Sequence, residues 1–190
     1  YGIGVSASYE HLYDRKKGLD WFRKLWIGRS DGAIFYEFYP VVKYSSMGIP
    51  HSKLFVAYNT VLNSTAFDLR RKSYQSFIFV GSLYKQKRIY ELLEAYKLAW
   101  LSQNCNLPKL EIIGDGIEFK NIANWIEHNN LSSNVILHGA INDAELVAPI
   151  MSRAIGCISP GQAGLSVLTC FSFGVPFITT RNAITGGEIF

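Results

Sequence analysis

Between residues 77 and 180 the chain alternates, without a break, between short apolar runs and segments of helical periodicity. The runs FIFVG (77–81), LEIIG (110–114), VILHG (135–139), IGCIS (155–159) and FITT (177–180) are of strand length and nearly continuous in apolar character, as expected of strands covered on both faces. IYELLEAYKLAW (89–100) places Ile89, Leu92, Leu93 and Tyr96 at i, i+3, i+4 and i+7. FKNIANWIEH (119–128) repeats the spacing at Phe119, Ile122, Ala123 and Ile126. DAELVAPIM (143–151), capped by Asn142 or Asp143 and bent or ended by Pro149, and LSVLTCFSF (165–173) complete the helices. Parallel neighbours need crossover helices, so this order predicts an α/β fold: a Rossmann-like parallel sheet with helices on both faces.

The first part of the chain is less regular. SYEHLYDRKKGLDWFRKLWI (8–27) carries Leu12, Leu19, Phe22 and Leu25 at roughly helical spacing, with Gly18 interrupting it and Arg15, Lys16, Lys17, Arg23 and Lys24 elsewhere. A basic amphipathic helix of this kind can lie on an anionic membrane or present an ordinary solvated face. AIFY (33–36) and LFVA (54–57) are strand candidates; a helix over about 38–47 lies between them, stopped by Gly-Ile-Pro at 48–50. A linker is expected near residues 60–76, where Asn63-Ser64-Thr65 and the charged DLRRKS occur. The chain starts at Tyr1 and ends at GGEIF, where a helix would be beginning, which suggests a piece of a longer protein.

A net charge of +4 suits an anionic ligand, but dense Lys/Arg patches are absent and nucleic acid is not expected. Cys105, Cys157 and Cys170 are widely separated with no Cys-x-x-Cys pair, which argues against a zinc site or a disulfide framework and for a reducing, cytoplasmic compartment. No run of 18 apolar residues is present.

Ligands of open α/β sheets bind beyond the carboxyl ends of the strands, so the strand-to-helix turns carry the functional reading. After the first run, Gly81 and Ser82 precede Lys85, Lys87 and Arg88 at a helix entry, where an anion would be favoured; exposed loop lysines are the bland alternative. Gly114-Asp115-Gly116 is a tight turn whose aspartate can cap the next helix or touch a ligand. His138 at a strand end is expected to pack or to bond the backbone. SPGQAGLSVLTC (159–170) holds no charged residue; Gly161, Gln162, Ala163, Gly164 and Leu165 form a turn in which backbone N–H groups at a helix start can hold a phosphate or diphosphate. Neither common nucleotide fingerprint is present: Gly81 is followed by SLYKQ instead of Gly-x-Gly-x-x-Gly, and no Gly-Lys-Ser/Thr loop occurs.

The ordered set FVGSLYKQKRIYELLEAY, LEIIGDG, NVILHGAINDAELVAPI and SPGQAGLSVLTCFSFGVPFITT resembles the family 4, GT-B-type, retaining glycosyltransferases. Upstream, DGAIFYEF and GIPHSKLFVAYNTVL resemble the end of that family's acceptor domain and its crossover. The resemblance implies that residues 1–62 are the C-terminal portion of an acceptor-side domain and 63–190 a nucleotide-sugar (donor) binding domain truncated at its end. It places the family's turn glycine on Gly81, its following arginine on Ser82, its diphosphate-binding lysine on Lys87 beside Arg88, and its Gly-Asp-Gly turn on Gly114, Asp115 and Gly116. The Glu-x7-Glu segment, aligned back from Gly174-Val175-Pro176, falls on Gly161 and Thr169, so both glutamates are missing; the first usually meets the transferred sugar and the second the ribose. The glycine whose amide meets the diphosphate is retained as Gly164, next to Leu165, and a later glutamate aligns with Glu188. YGIG resembles a Gly-His-Gly turn with Ile3 in place of the histidine.

Loss of the ribose carboxylate removes charge-assisted hydrogen bonds worth about 1.5–3 kcal/mol, while Thr169 can still make a neutral one. The resemblance therefore implies a transferase moving a sugar from a nucleotide diphosphate donor to a hydroxyl on a saccharide or lipid-linked acceptor, in bacterial polysaccharide or glycolipid assembly. Lys87 is its catalytic residue; no metal and no cofactor are expected, and the location is the cytoplasm, with peripheral contact at the inner, anionic membrane face. The rival reading is a non-catalytic sugar-nucleotide binding module of the same fold. A receiver-type or flavodoxin-like regulatory domain is disfavoured, because Asp115 alone does not supply the acidic cluster that a receiver needs.

Overall fold

The computed structural model describes residues 17–61, 75–103, 106–181 and 183. The chain divides into two compact units, Tyr1–Thr60 with Ile184–Phe190, and Val61–Ala183. The expected linker near 60–76, the YGIG turn, Leu12, Cys105 and Glu188 lie largely or wholly outside the described residues.

In the first unit, helix α1 (Lys17–Arg29) leads to strand β1 (Ala33–Phe35), helix α2 (Tyr39–Ser46), a 3-10 turn (His51–Lys53) and strand β2 (Leu54–Val56). β1 and β2 pair in parallel, Ala33 with Leu54 and Phe35 with Val56. Ile27, Ala33, Phe35, Val41, Tyr44, Ile49 and Leu54 form one apolar cluster, in which the Phe35 and Tyr44 rings stack at 5.7 Å. Of the helix expected over 8–27, the described part runs from Lys17 through Gly18 to Arg29, and its orientation differs from a simple apolar-inward reading. Asp20 is buried whereas Trp21, Phe22, Leu25 and Trp26 are exposed. The carboxylate turns inward because Lys43 from α2 lies 2.8 Å away and Arg23 3.4 Å away, so its charge is compensated on that side.

The second unit contains strands β3 (Ser76–Val80), β4 (Lys109–Ile113), β5 (Val135–Gly139), β6 (Ala154–Ser159) and β7 (Phe177–Thr179), with helices α3 (Ile89–Ser102), α4 (Phe119–His128), α5 (Ala144–Ser152) and α6 (Ser166–Ser172) between them. All five strands pair in parallel, in the order β5-β4-β3-β6-β7. The two faces are read from alternation along the strands. Phe79 and Ile112 pack with Leu92, Leu93 and Tyr96 of α3 and Ile122 and Ile126 of α4. Their neighbours Ile78 and Ile113 pack on the opposite side with Val147, Ile150 and Met151 of α5 and Cys170 of α6. The expected α/β sheet with helices on both faces is the observed one.

Asp143 caps α5 by accepting from the Glu145 amide at 2.9 Å. Pro149 does not end the helix, which continues to Ser152. The strand order places a switch point between β3 and β6: the chain crosses one way from β3 through α3 to β4, and returns through α5 to the other side of β3 at β6. The loops after β3 and β6 therefore leave adjacent strands at the point where the strand order reverses, and ligands of this architecture bind there, beyond the carboxyl ends of the strands.

Candidate functional site

Three turns meet at the carboxyl ends of β3, β4 and β6. The Gly81 amide donates to Ile113 O at 3.0 Å, the Leu83 amide to Asp115 O at 2.9 Å, and the Glu118 amide back to Leu83 O at 3.1 Å. Glycine is required at Gly114 and Gly116 because of this closeness. A side chain there would fall on the Gly81 and Leu83 carbonyl oxygens, and both residues have positive φ, 154° and 158°. Asp115 does not cap the following helix: its carboxylate accepts from the Gly116 amide at 2.7 Å, and α4 has Glu118 at its N-cap position without a side-chain bond. The aspartate stabilises its own turn.

The turn after β3 contains a 3-10 segment (Lys85–Lys87), and it is joined to the turn after β6 by four contacts. The Gln162 amide donates to Gln86 O at 2.9 Å, the Lys87 ammonium to Gln162 O at 2.7 Å, the Tyr84 hydroxyl to Gln162 Oε1 at 2.9 Å, and Arg88 Nη1 to Pro160 O at 3.3 Å. Gly161 lies against the Gln86 and Lys87 backbone so closely that a Cβ would overlap their atoms. Its lack of a side chain is thus first a packing requirement, independent of any ligand. Gly164 is different, with nothing within 4 Å of where a Cβ would stand.

Lys87 is only 8% exposed. Its ammonium lies 5.6 Å from the centre of the Tyr84 ring, and its side-chain end is 3.7–3.8 Å from where a Gly81 Cβ would be. A buried ammonium is expensive unless compensated, and here a carbonyl and a ring face supply part of the compensation. Arg88 is turned elsewhere. Its guanidinium makes a paired hydrogen bond with the Glu91 carboxylate, Nε to Oε1 at 2.6 Å and Nη2 to Oε2. That bond raises the arginine pKa and lowers that of Glu91. Arg88 has a left-handed backbone, φ 54° and ψ 37°, at the N-cap of α3, an uncommon conformation for a residue with a long side chain.

Beyond Gly161 the chain enters α6, which has only seven residues. None of the hydrogen bonds among the described residues uses the Gly164 or Leu165 amide as donor. Thr169 donates its hydroxyl to Leu165 O at 3.1 Å, one turn back, so it is engaged locally. Ser82 is exposed, and Ala163 is 2% exposed beside Gln162. The structure thus brings Gly81, Gly114, Gly116, Lys87, Gly161 and Gln162 together, turns Asp115 and Thr169 to local partners, and divides Arg88 between Glu91 and the Pro160 carbonyl. Tyr84 is the side chain that sequence reasoning missed; only its position three residues before Lys87 could have signalled it.

His138 was expected to pack or to meet the backbone. Instead its Nε2 lies 2.7 Å from Glu111 Oε2, and Arg153 bonds the same carboxylate at 2.7 and 2.6 Å. Glu111 is buried, which by itself raises its pKa, but the bonds from Arg153 and His138 outweigh burial and bring it down to about 2. Among the described residues no group of three or more His, Cys, Asp or Glu is placed to hold a metal ion, and no helix is long and apolar enough to cross a membrane.

The sequence model for glycosyl transferases group 1 matches residues 65–189, well over half of the chain. The chain belongs to the group 1 glycosyl transferases. No curated protein matches it significantly in sequence. Among solved structures, it is similar in fold to S. aureus TarM, solved as a point mutant in complex with Fondaparinux, alpha-GlcNAc-glycerol and UDP, with a TM-score of 0.66 at 20% identity. It is similar as well to Anabaena HepE in complex with UDP-glucose, TM-score 0.62 at 16% identity, and to the pneumococcal O-GlcNAc transferase GtfA in complex with UDP and GlcNAc, TM-score 0.62 at 16% identity. The alignments cover 86%, 100% and 84% of this chain but 32%, 54% and 32% of those proteins, so the chain spans about a third to a half of their length. As a group 1 glycosyl transferase, the chain has its family match over the second unit, the one with the three turns.

Proposed function

We propose that the second unit is the donor domain of a retaining, family 4-like, hexosyl-transferring enzyme, and that residues 1–62 belong to its acceptor-side domain. The substrate is a nucleotide diphosphate-sugar and the acceptor is a hydroxyl of a saccharide or lipid-linked molecule in cytoplasmic polysaccharide or glycolipid assembly. The observation that carries this reading is the Lys87 ammonium, buried at the switch point beside Gly81 and one bond away from the 160–165 turn.

Breaking the bond between the sugar's anomeric carbon and the diphosphate leaves the electron pair on the departing phosphate oxygen. Lys87 and the Gly164 and Leu165 amides stabilise that charge, and the acceptor oxygen takes its place on the anomeric carbon while its hydroxyl proton passes to the departing phosphate oxygen. An ammonium has three donors, so its bond to Gln162 O does not bar one to a phosphate oxygen. Charge stabilisation by fixed donors requires no metal. The support from relatives is that TarM and GtfA were solved with UDP and HepE with UDP-glucose.

A second reading, a non-catalytic sugar-nucleotide binding module, draws on Gly161 and Thr169: neither position offers a carboxylate, and the Thr169 hydroxyl is engaged with Leu165 O. One experiment separates the two. The protein is titrated with UDP-, GDP-, ADP- and TDP-sugars and assayed for sugar transfer and for donor hydrolysis. Turnover that Lys87→Ala abolishes supports the enzyme, binding without turnover supports the module, and no binding to any member of the panel sinks both.

A further inference from the structure

Gln162 is gripped on three sides by the turn after β3. Its amide donates to Gln86 O at 2.9 Å, its carbonyl accepts from Lys87 at 2.7 Å, and its Oε1 accepts from the Tyr84 hydroxyl at 2.9 Å. Tyr84 acts on the same ammonium a second way, since its ring centre lies 5.6 Å from Lys87 Nζ. One aromatic residue therefore touches both Lys87 and the group that Lys87 is bonded to. We propose that the Tyr84–Gln162 hydrogen bond is a latch that sets the direction of the Lys87 ammonium, which makes Tyr84 a positioning residue for the diphosphate of the donor.

The proposal rests on the donor-site reading above and deepens it. A lysine stem has four rotatable carbons and a point charge at its tip, so its aim is fixed only by what surrounds it. Here the carbonyl that fixes it belongs to a turn whose own position depends on a neighbouring strand. The Gln86 bond holds the backbone of that turn at one point. The Tyr84 bond holds it at another, through the glutamine side chain, and two points define a direction where one leaves rotation. Arg88 Nη1 on Pro160 O, at 3.3 Å, is a longer third tie on the exposed side.

The latch makes a demand that a merely structural bond does not: its loss must be felt by the diphosphate and not by the nucleoside. The test compares affinities for UDP, GDP, ADP and TDP, and for the matching nucleosides, in the wild type, Tyr84→Phe, Gln162→Met, the double variant and each of these in a Lys87→Ala background. Tyr84→Phe keeps the ring and Gln162→Met keeps the length and the backbone groups, so each removes only one side of the bond. The expected result is a loss of about three- to tenfold for the preferred nucleoside diphosphate, the size of one neutral hydrogen bond. Nucleoside affinity should be unchanged, the double variant no weaker than the weaker single, and the Lys87→Ala background without further loss. Equal losses for nucleoside and diphosphate, additive single effects, or a full effect without Lys87 would overturn the latch while leaving the donor site standing. If the wild type binds none of the nucleoside diphosphates, the donor reading itself falls and the latch falls with it. Thermal unfolding of each variant identifies one that has simply failed to fold, and the other single variant then decides.

Discussion

The Lys87 ammonium donates to the backbone carbonyl of Gln162 at 2.7 Å across 75 positions of sequence. A charged side chain held by a main-chain oxygen depends on the path of the backbone, and the Tyr84 bond to the Gln162 side chain is one of the ties that fix that path.

Lys87→Ala is expected to lower affinity for a nucleoside diphosphate by tenfold or more, since hydrogen bonds to charged groups are worth about 1.5–3 kcal/mol. Lys87→Arg should recover little of it, because a planar fork does not fit where a compact ammonium packs beside Gly81. Isothermal titration with the preferred diphosphate measures both. Wild-type affinity in the alanine variant would remove Lys87 from the site.

Gly114→Ala and Gly164→Ala should separate sharply. The first places a methyl on the Gly81 carbonyl oxygen at a φ of 154° and should cost well over about 1 kcal/mol, a fall in Tm of several degrees. The second meets nothing within 4 Å and keeps its amide, so Tm should stay within a degree or two of the wild type and diphosphate binding should persist. Scanning calorimetry of the two variants is sufficient, and equal Tm values would contradict the packing argument.

Acid should destabilise the second unit through Glu111. Its carboxyl titrates at about 2 when folded, against 4.5 for an unperturbed glutamate. The folded pKa is depressed, so the contribution is complete above about pH 5 and is lost as pH falls from 4.5 toward 2. At most it amounts to about 3 kcal/mol. Denaturant melts between pH 2 and pH 6 should show this slope, and Glu111→Gln should flatten it. The variant should also be less stable at neutral pH, because Arg153 and His138 lose their shared partner.

Asp143→Ala removes the side chain that accepts from the Glu145 amide and should cost about 1 kcal/mol. Asp143→Asn should retain most of the stability, because it keeps an oxygen in the same place. Urea denaturation distinguishes the two; indistinguishable midpoints would mean that the cap contributes nothing measurable.

Periodicity made the second unit legible, because its signals are local. The spacing of Ile89, Leu92, Leu93 and Tyr96 marks one helix face whatever the rest of the chain does, and the expected elements fall within a residue or two of the observed ones. What was not legible depends on which turns meet. Asp115 could be placed in a tight turn but not told from a helix cap, since both use a carboxylate and a nearby amide. His138 could not be paired with Glu111 without knowing that β4 and β5 are adjacent and that Arg153 follows α5 onto the same face. The α1 face was obscured because Asp20 buries its charge against a lysine 23 positions on, which no local pattern encodes. Gly161 looked like a position that had lost a ligand-binding side chain. In the fold it is where two main chains touch.

That touching of main chains at Gly114, Gly116 and Gly161 has a consequence for engineering. Peptide groups at these turns are locked against one another, so the shape of this surface is inherited from strand order and cannot be tuned gradually by altering side chains there. Substitutions meant to change what these turns accept should leave those glycines untouched and vary the exposed Ser82 and Leu165.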